Sequence, residues 1–299
     1  MLRNALKTPD PTEWRLVEIP VKPAFQTYVG TYYYLHLPKP AGHALHRVIS
    51  MASPSLDLIL NLAEPFVVET FGDAVRVEPG IYLVGPRPAT AFIRREGELA
   101  LLACRFKHGT LSSLLPYPVK ELEQRLVPVA GLWPEVHANL SRALVSDLSL
   151  AELVQELDEA LAELLLRARK PDPLIRKAVK LIAQHNGDLE VSAMAAQLGV
   201  SRQTVKHKFD QHVGLSPKLY SKLRRFQNVL RRLAGLKKVD WTHLAQESGY
   251  YDQAHLIREF NHFTGFSPQK FLKNLEKGSD LYLFDSADQT LFHASQRST

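Results

Sequence analysis

AAQLGVSRQTVKHKFDQHVGLSPKLY, residues 195–220, and LAQESGYYDQAHLIREFNHFTGFSPQKF, residues 244–271, state the same pattern twice. Phe209 matches Phe260, Gly214 matches Gly265, Ser216-Pro217 matches Ser267-Pro268 and Tyr220 matches Phe271, all at an offset of 51. Ala195 and Gly199 match Ala245 and Gly249 at an offset of 50, so one extra residue sits in the second turn, at Tyr250-Tyr251. A repeat of this period is one supersecondary unit used twice.

Each unit reads as helix, tight turn, helix. In the first, Val191, Met194, Ala195 and Leu198 share a helical face, and Gly199 permits the sharp turn. Ser201 is a good N-cap, and Val205 and Phe209 form the buried stripe of the second helix. Leu244, Ala245, Gly249, Asp252, Leu256 and Phe260 play these parts in the second unit. Small Ala195 and Ala245 let paired helices approach closely. Ser-Pro at 216–217 and 267–268 pairs an N-cap with a proline at the first helical position, so a further helix follows each unit. A helix-turn-helix places its second helix in the major groove of DNA.

The outward faces of the two second helices carry suitable donors: Arg202, Gln203, Lys206 and His207 on the first, and Gln253, Ala254 and Arg258 on the second. Arginine grips guanine O6/N7 bidentately, and glutamine pairs with adenine N6/N7. One such face could equally be a solvated polar surface. Two in tandem, in a basic setting, favour base reading. His255 points either at a base or into packing beside the turn, with packing preferred.

These residues carry a resemblance. Leu198-Gly199, Ser201, Phe209, Gly214-Leu215-Ser216-Pro217 and Tyr220, then Ala245, Gly249-Tyr250, Asp252-Gln253, His255, Phe260, Gly265-Phe266-Ser267-Pro268 and Phe271, resemble the double helix-turn-helix of AraC/XylS-type transcription regulators. The likeness spans about 100 residues, from Leu174 to Leu275. It implies a long helix joining two subdomains whose helices enter successive major grooves. Ser216 to Leu233 supplies that connector, and 18 residues at 1.5 Å each span about 27 Å. Asp210 and Asn261 follow the motif phenylalanines where a basic residue is common in the family, which weakens phosphate gripping there.

Charge separates the halves of this 299-residue chain. Residues 1–170 hold 18 Lys/Arg and 19 Asp/Glu, whereas residues 174–277 hold 18 against 8, a net of +10. Lys218, Lys222, Arg224, Arg225, Arg231, Arg232, Lys237 and Lys238 cluster on or just after the connector. Such clustering supplies the sequence-independent part of DNA affinity, with Lys222 taken as a phosphate contact. RNA or an anionic membrane would also attract it, but neither explains the tandem repeat. No run of 18 apolar residues suggests a membrane span, and the N-terminus lacks the apolar core of a secretory signal. The lone Cys104 fits a reducing compartment, so a cytoplasmic location is expected. It lies in LALLACRFK, an alternating strand pattern, where buried packing is preferred to a nucleophilic role.

Residues 14 to about 130 read as mostly strand: TYVGTYYYLHL, LDLILNL, FVVETFGDAVRVEPG, GIYLVG, TAFIRRE and ELALLACRF, separated by Gly, Pro and Asp. Gly72-Asp73 is a good hairpin turn between Phe66–Phe71 and Ala74–Val77. By layout this half resembles the cupin-like β-barrel sensor of AraC-type regulators. His36, His43, His46 and His108 form no metal-ligand spacing, and no cofactor, metal site or catalytic residue is assigned. Tyr28, Tyr32, Tyr33, Tyr34, Phe66, Phe71 and Tyr82 either line a ligand cavity or fill the core, so the ligand-binding residues stay unassigned.

Residues 134–168 switch to a helical period. Ser149 and Glu152 form a capping box, followed by Leu150, Val154, Leu157, Leu161, Leu164 and Ala168 at steps of four and three. Packing on the barrel would make such a stripe, but the resemblance favours a coiled-coil dimer seam. Arg169 to Pro173 is a short, stiff linker.

The expected architecture is therefore α+β: a β-rich sensor or dimerisation domain at 1–133, a helical dimerisation and linker segment at 134–170, an all-α double helix-turn-helix domain at 171–277 and a tail at 278–299 without a functional reading. The expected function is sequence-specific regulation of transcription on double-stranded DNA, as a homodimer modulated by a small-molecule effector, with RNA polymerase as a further partner and no membrane. Two alternatives stand. A repair-type enzyme fused to a DNA-binding module would need a reactive Cys104. A ligand-independent regulator would have a barrel interior filled by side chains.

Overall fold

Strands β2 (Val29–Leu37), β4 (Leu56–Asn61) and β9 (Leu99–Phe106) are covered on both faces, and that accounts for their almost unbroken apolar runs. The computed structural model describes residues 15–39, 47–70, 73–234, 239–277, 281–285 and 291–292. Even-numbered side chains of these strands, among them Tyr32, Tyr34, Leu58, Leu60, Leu102 and Cys104, join one apolar cluster. Helices α1 (Pro134–Leu144) and α2 (Leu150–Leu166) contribute Leu140, Leu157 and Leu161 to that cluster. Odd-numbered neighbours such as Tyr33, Leu35, Ile59 and Leu101 point the other way, because strand side chains alternate.

What they face is a second sheet. The first runs in the order β1-β2-β9-β4-β7-β10, with β1 (Arg15–Ile19), β7 (Gly80–Val84) and β10 (Leu126–Pro128) completing it. The second contains β3 (Arg47–Ser50), β8 (Ala91–Arg95), β5 (Phe66–Glu69) and β6 (Ala74–Val77). The sheets face each other without closing into the barrel expected from the sequence. β5 and β6 pair as the expected hairpin, from Phe66↔Val77 to Glu69↔Ala74; Phe71 and Gly72 lie outside the described residues. So do His43, His46, Lys237 and Lys238.

The tail has a structural part that the sequence did not suggest. β11 (Leu281–Asp285) runs parallel to β3, with Leu281 opposite Val48 and Leu283 opposite Ser50, and β12 (Leu291–Phe292) pairs with β11. The last part of the chain thus returns to the second sheet of the first domain.

The Leu150–Leu164 stripe is corrected here. Leu150, Leu157, Leu161 and Leu164 are buried within one chain, against the first sheet, and Val154 is half-buried beside them. Tyr32 donates to Asp158 of α2 at 2.8 Å, and Lys22 pairs with the same carboxylate at 2.9 Å. A four-three stripe is an apolar face and nothing more specific, and here the face is used to cover the sheet. It is not free to form the dimer seam.

The described residues of the second domain pack seven helices on one core. After α3 (Pro173–Gln184) come α4 (Val191–Leu198) and α5 (Arg202–His212), the connector α6 (Pro217–Ala234), then α7 (Trp241–Glu247), α8 (Gln253–Thr264) and α9 (Pro268–Lys277). The expected caps Ser201 of α5 and Asp252 of α8 are present, and Asp172 caps α3, each accepting backbone N–H bonds. The turns after α4 and α7 place Gly199 and Gly249 at φ +67° and +75°, a region nearly closed to other residues.

The two domains share one apolar cluster. Ile49, Met51 and Ala52 of the first are buried with Ile175, Phe209, Phe226 and Phe263 of the second. The segment from β7 to β8 meets both repeat units. Thr90 donates its backbone N–H and its hydroxyl to the Phe263 carbonyl, at 3.2 and 2.7 Å. At the other unit, a β-carbon on Gly214 would come within 2.9 Å of Pro86 Cγ and 2.8 Å of the Val119 carbonyl oxygen. Ser112 Oγ and His212 Nδ1, 2.6 Å apart, add a polar contact.

Candidate nucleic-acid interface and ligand cavity

α5 and α8 turn their apolar residues inward and their polar residues to solvent. Val205, Phe209, Leu256 and Phe260 are fully buried, while Arg202, Gln203, Lys206 and His207 on α5 are exposed. Gln253, Ala254 and Arg258 on α8 are exposed likewise, and Gln253 Oε1 accepts from Thr242 Oγ1 at 3.2 Å. His255 is packed: its ring lies 5.2 Å from that of Tyr250, and its Nε2 is 3.7 Å from Glu259. All seven candidate base readers therefore stand on the solvent side of two helices that share one core.

Lys222, the expected phosphate contact, has its ammonium 2.9 Å from Glu259 Oε1 while its side chain stays 38% exposed, so an ion pair within the protein competes with any phosphate for it. Arg225 pairs with Glu259, Arg232 with Glu247, and Arg231 donates to Asn228. Arg224 and Arg225 are buried. Much of the charge on the connector is thus paired within the protein, as a largely buried helix requires, although Lys222 and Arg232 stay partly exposed. Lys218, in the first turn of α6, is exposed and shares a surface concavity with Arg202, Gln203 and Lys206. Tyr251 is also exposed, at 92%, immediately before the Asp252 cap. Its place in the extra-residue turn was the only sequence signal for it.

Residues 194–274 match a family described as a helix-turn-helix domain. This is an AraC/XylS-type double helix-turn-helix domain. Residues 17–128 match a domain of unknown function (DUF6597). No curated protein sequence matches the chain. Among solved structures, ToxT from Vibrio cholerae is 10% identical, covering 81% of this chain and 97% of its own at a TM-score of 0.48. ToxT with an unsaturated fatty acid bound is 11% identical, covering 81% and 94% at 0.43. A predicted oxalate decarboxylase from Thermotoga maritima is 14% identical, covering 34% of this chain and 94% of its own at 0.24.

Ahead of the AraC/XylS-type domain, the two sheets and adjoining loops line a partly open cavity of about 520 Å³. Leu35, Ile59, Phe66, Ile93 and Leu101 form apolar walls. Its polar floor is Arg105, which donates through Nε and Nη2 to both oxygens of Asp57 at 2.9 and 2.7 Å, with the Tyr33 hydroxyl donating to Asp57 at 3.2 Å. Burial raises the Tyr33 phenol, and Asp57 adds to the rise, so the hydroxyl keeps its proton. Of the described aromatic residues singled out in the sequence, Tyr33 and Phe66 line this space; Tyr32 and Tyr34 face the helices.

Cys104 is fully buried on β9, and burial pushes its thiol well up, away from the thiolate a nucleophile needs. His36 pairs with Glu98 at 2.9 Å, and burial pushes His108 down to about 3. Among the described residues no group of three or more His, Cys, Asp or Glu is placed to hold a metal. No described helix is long and apolar enough to cross a membrane.

Proposed function

We propose that this protein is a sequence-specific, DNA-binding transcription regulator whose DNA affinity responds to a small molecule held between the two sheets. The observation that carries the DNA reading is the pair of sequence-related helices, α5 and α8, with Arg202, Gln203, Lys206, Gln253 and Arg258 exposed while Val205, Phe209, Leu256 and Phe260 are buried. Selection of duplexes from a randomised library by the full chain tests it. Enrichment of one sequence supports the reading, and a folded chain that retains no duplex at low salt sinks it.

Modulation by a ligand is supported by the segment between β7 and β8. Val84 and Arg87 line the cavity, as does Met51, while Thr90 holds the end of α8 and lies 3.8 Å from the Met51 sulfur. A molecule in the cavity therefore presses on residues that also hold the DNA-binding domain. A ligand-independent regulator would fit an interior filled by side chains better. Linkage is reciprocal, so a cavity probe such as anilinonaphthalene sulfonate should change DNA affinity by the factor that DNA changes probe affinity. Equal DNA affinity with and without the bound probe would favour the ligand-independent reading. Homodimer formation through a surface other than the buried α2 stripe, and recruitment of RNA polymerase, belong to the same proposal. Sedimentation and in vitro transcription check them.

A further inference from the structure

Glu259 is an acidic residue on a recognition helix of a strongly basic domain, next in sequence to the candidate base reader Arg258. Exposed, it would repel phosphate. Instead it is 5% exposed and faces the connector. Arg225 Nη2 donates to its two oxygens at 3.1 and 3.0 Å, and Lys222 Nζ lies 2.9 Å away, one turn earlier on α6. His255 Nε2, on the same helix as Glu259, lies 3.7 Å from it. Burial alone would raise the carboxyl, but Lys222 and Arg225 together hold it below the usual glutamate range.

Arg225 reaches further than this one carboxylate. Its Nη1 donates to the Gly249 carbonyl at 3.2 Å, in the turn between α7 and α8, and its guanidinium lies 4.4 Å from the Tyr250 ring centre. The same Nη1 is 3.7 Å from Asp188, in the loop that leads into α4. One side chain at the middle of the connector thus touches the entry to the first unit, the turn of the second and the recognition helix of the second.

Apolar contacts alone would leave the second unit freer to turn on the connector. Phe226 meets Phe260 and Phe263 with ring centres 5.5 and 5.0 Å apart, and such packing tolerates small rotations. The guanidinium fork is planar and directional, so it fixes an angle as well as a distance. Buried ion pairs are weak sources of stability and can act by specifying one geometry. We propose that Arg225, with Glu259 and Lys222, positions α8 relative to α5 and so sets the spacing between the two base sequences that the protein reads. Arg225 and Glu259 are positioning residues here and touch no base. The inference rests on the DNA-binding reading above.

The consequence is specific to duplex DNA. One helical turn is about 10–10.5 base pairs, so each inserted base pair both lengthens the path and swings the second groove by about a tenth of a turn. A fixed angle between the recognition helices makes binding fall steeply when spacing changes. A loosened angle makes it fall gently, with the preferred bases in each half unchanged.

The test uses the full chain and a selected binding site in which the spacing between halves is shortened or lengthened by one or two base pairs. Wild type should lose at least about tenfold in affinity for a single insertion. Glu259→Gln, which keeps the shape and loses the charge, and Arg225→Lys, which keeps the charge and loses the fork, should shrink that loss to about threefold or less. Each half should keep its base preference, and circular dichroism should show the variants folded. Should Glu259→Gln not fold, Arg225→Lys, which leaves the buried carboxylate neutralised, decides alone. Folded variants with the wild-type spacing profile would overturn the inference, as would a wild type indifferent to spacing. A wild type that binds no duplex overturns the DNA-binding reading itself, and this inference with it.

Discussion

Lys222 lies on the connecting helix, where a lysine facing a duplex would grip phosphate, yet its ammonium is 2.9 Å from Glu259. Lys218, one turn earlier, is exposed beside Arg202 and Lys206. A phosphate contact contributes about one to the slope of log affinity against log salt. Lys218→Ala should therefore lower that slope by about one, while Lys222→Ala leaves it nearly unchanged; titration across salt concentrations separates them. Arg258→Ala and Gln203→Ala should instead relax the preferred sequence, each by roughly 1–3 kcal/mol of discrimination, read by binding-site selection. Histidines at the domain junction make a pH prediction. His108, edge-on to Tyr220 with ring centres 5.3 Å apart, is pushed down to about 3 by burial, with Arg224 and Arg105 adding to the fall and Asp57 opposing it. Burial also lowers His212, against the pull of Asp172. A histidine whose folded pKa is depressed favours the folded state above its unfolded value of about 6.5, and that contribution is lost as pH falls. Asp172 and Glu259, held low, lose theirs only at more acid pH. The melting temperature should thus decline between pH 6.5 and 5, by several degrees, and His108→Gln should flatten the decline.

Among the elements, α2 separates what periodicity says from what it leaves open. Its capping box is present as expected, with Ser149 Oγ accepting from the Glu152 backbone and the Glu152 carboxylate accepting from the Ser149 backbone. The stripe it starts was equally readable, but its partner was not. An apolar stripe looks the same whether it faces another chain or its own sheet, and Leu157 and Leu161 face the sheet. Leu161→Ala should cost roughly 2–5 kcal/mol in chemical denaturation of the full chain. Replacing Leu157 and Leu161 together with Glu should unfold the first domain rather than release a folded monomer, as circular dichroism would show. A folded double variant would return the stripe to an interface between chains.

At the scale of the whole molecule, the second domain carries its own tandem core but borrows Ile49, Met51 and Ala52 from the first to complete it. A fragment of residues 171–277 should retard duplex DNA at low salt with the full chain's base preference, and melt at a lower temperature because that cover is gone. Loss of all binding by a fragment shown folded would mean that the sensor domain takes part in the interface. Thr90→Val removes the hydroxyl bond to Phe263 and keeps the backbone one. If the segment between β7 and β8 transmits cavity occupancy, this variant should reduce the change in DNA affinity that a bound probe produces, by a fewfold, with little change in DNA affinity itself. Parallel titrations of the two proteins check this.

The tandem repeat, its caps and its turns were legible in the sequence because each depends on residues a few positions apart. Ser201 three residues before Thr204, Gly199 at a positive φ and Phe209 one turn after Val205 are local geometry, and two copies at fixed offset reinforce one another. Most short strands of the first domain were legible for the same reason; β1, β3, β10 and the tail strands, each of five residues or fewer, were not picked out. Tertiary structure alone decided which faces remained free. It set Lys222 against Glu259, turned Leu157 and Leu161 onto the sheet, opened a cavity beneath Tyr33 and brought β11 back beside β3. Each of these joins residues far apart along the chain. Local pattern determines that a side chain is charged or apolar and on which side of its element it lies; only the packed molecule determines what meets it there.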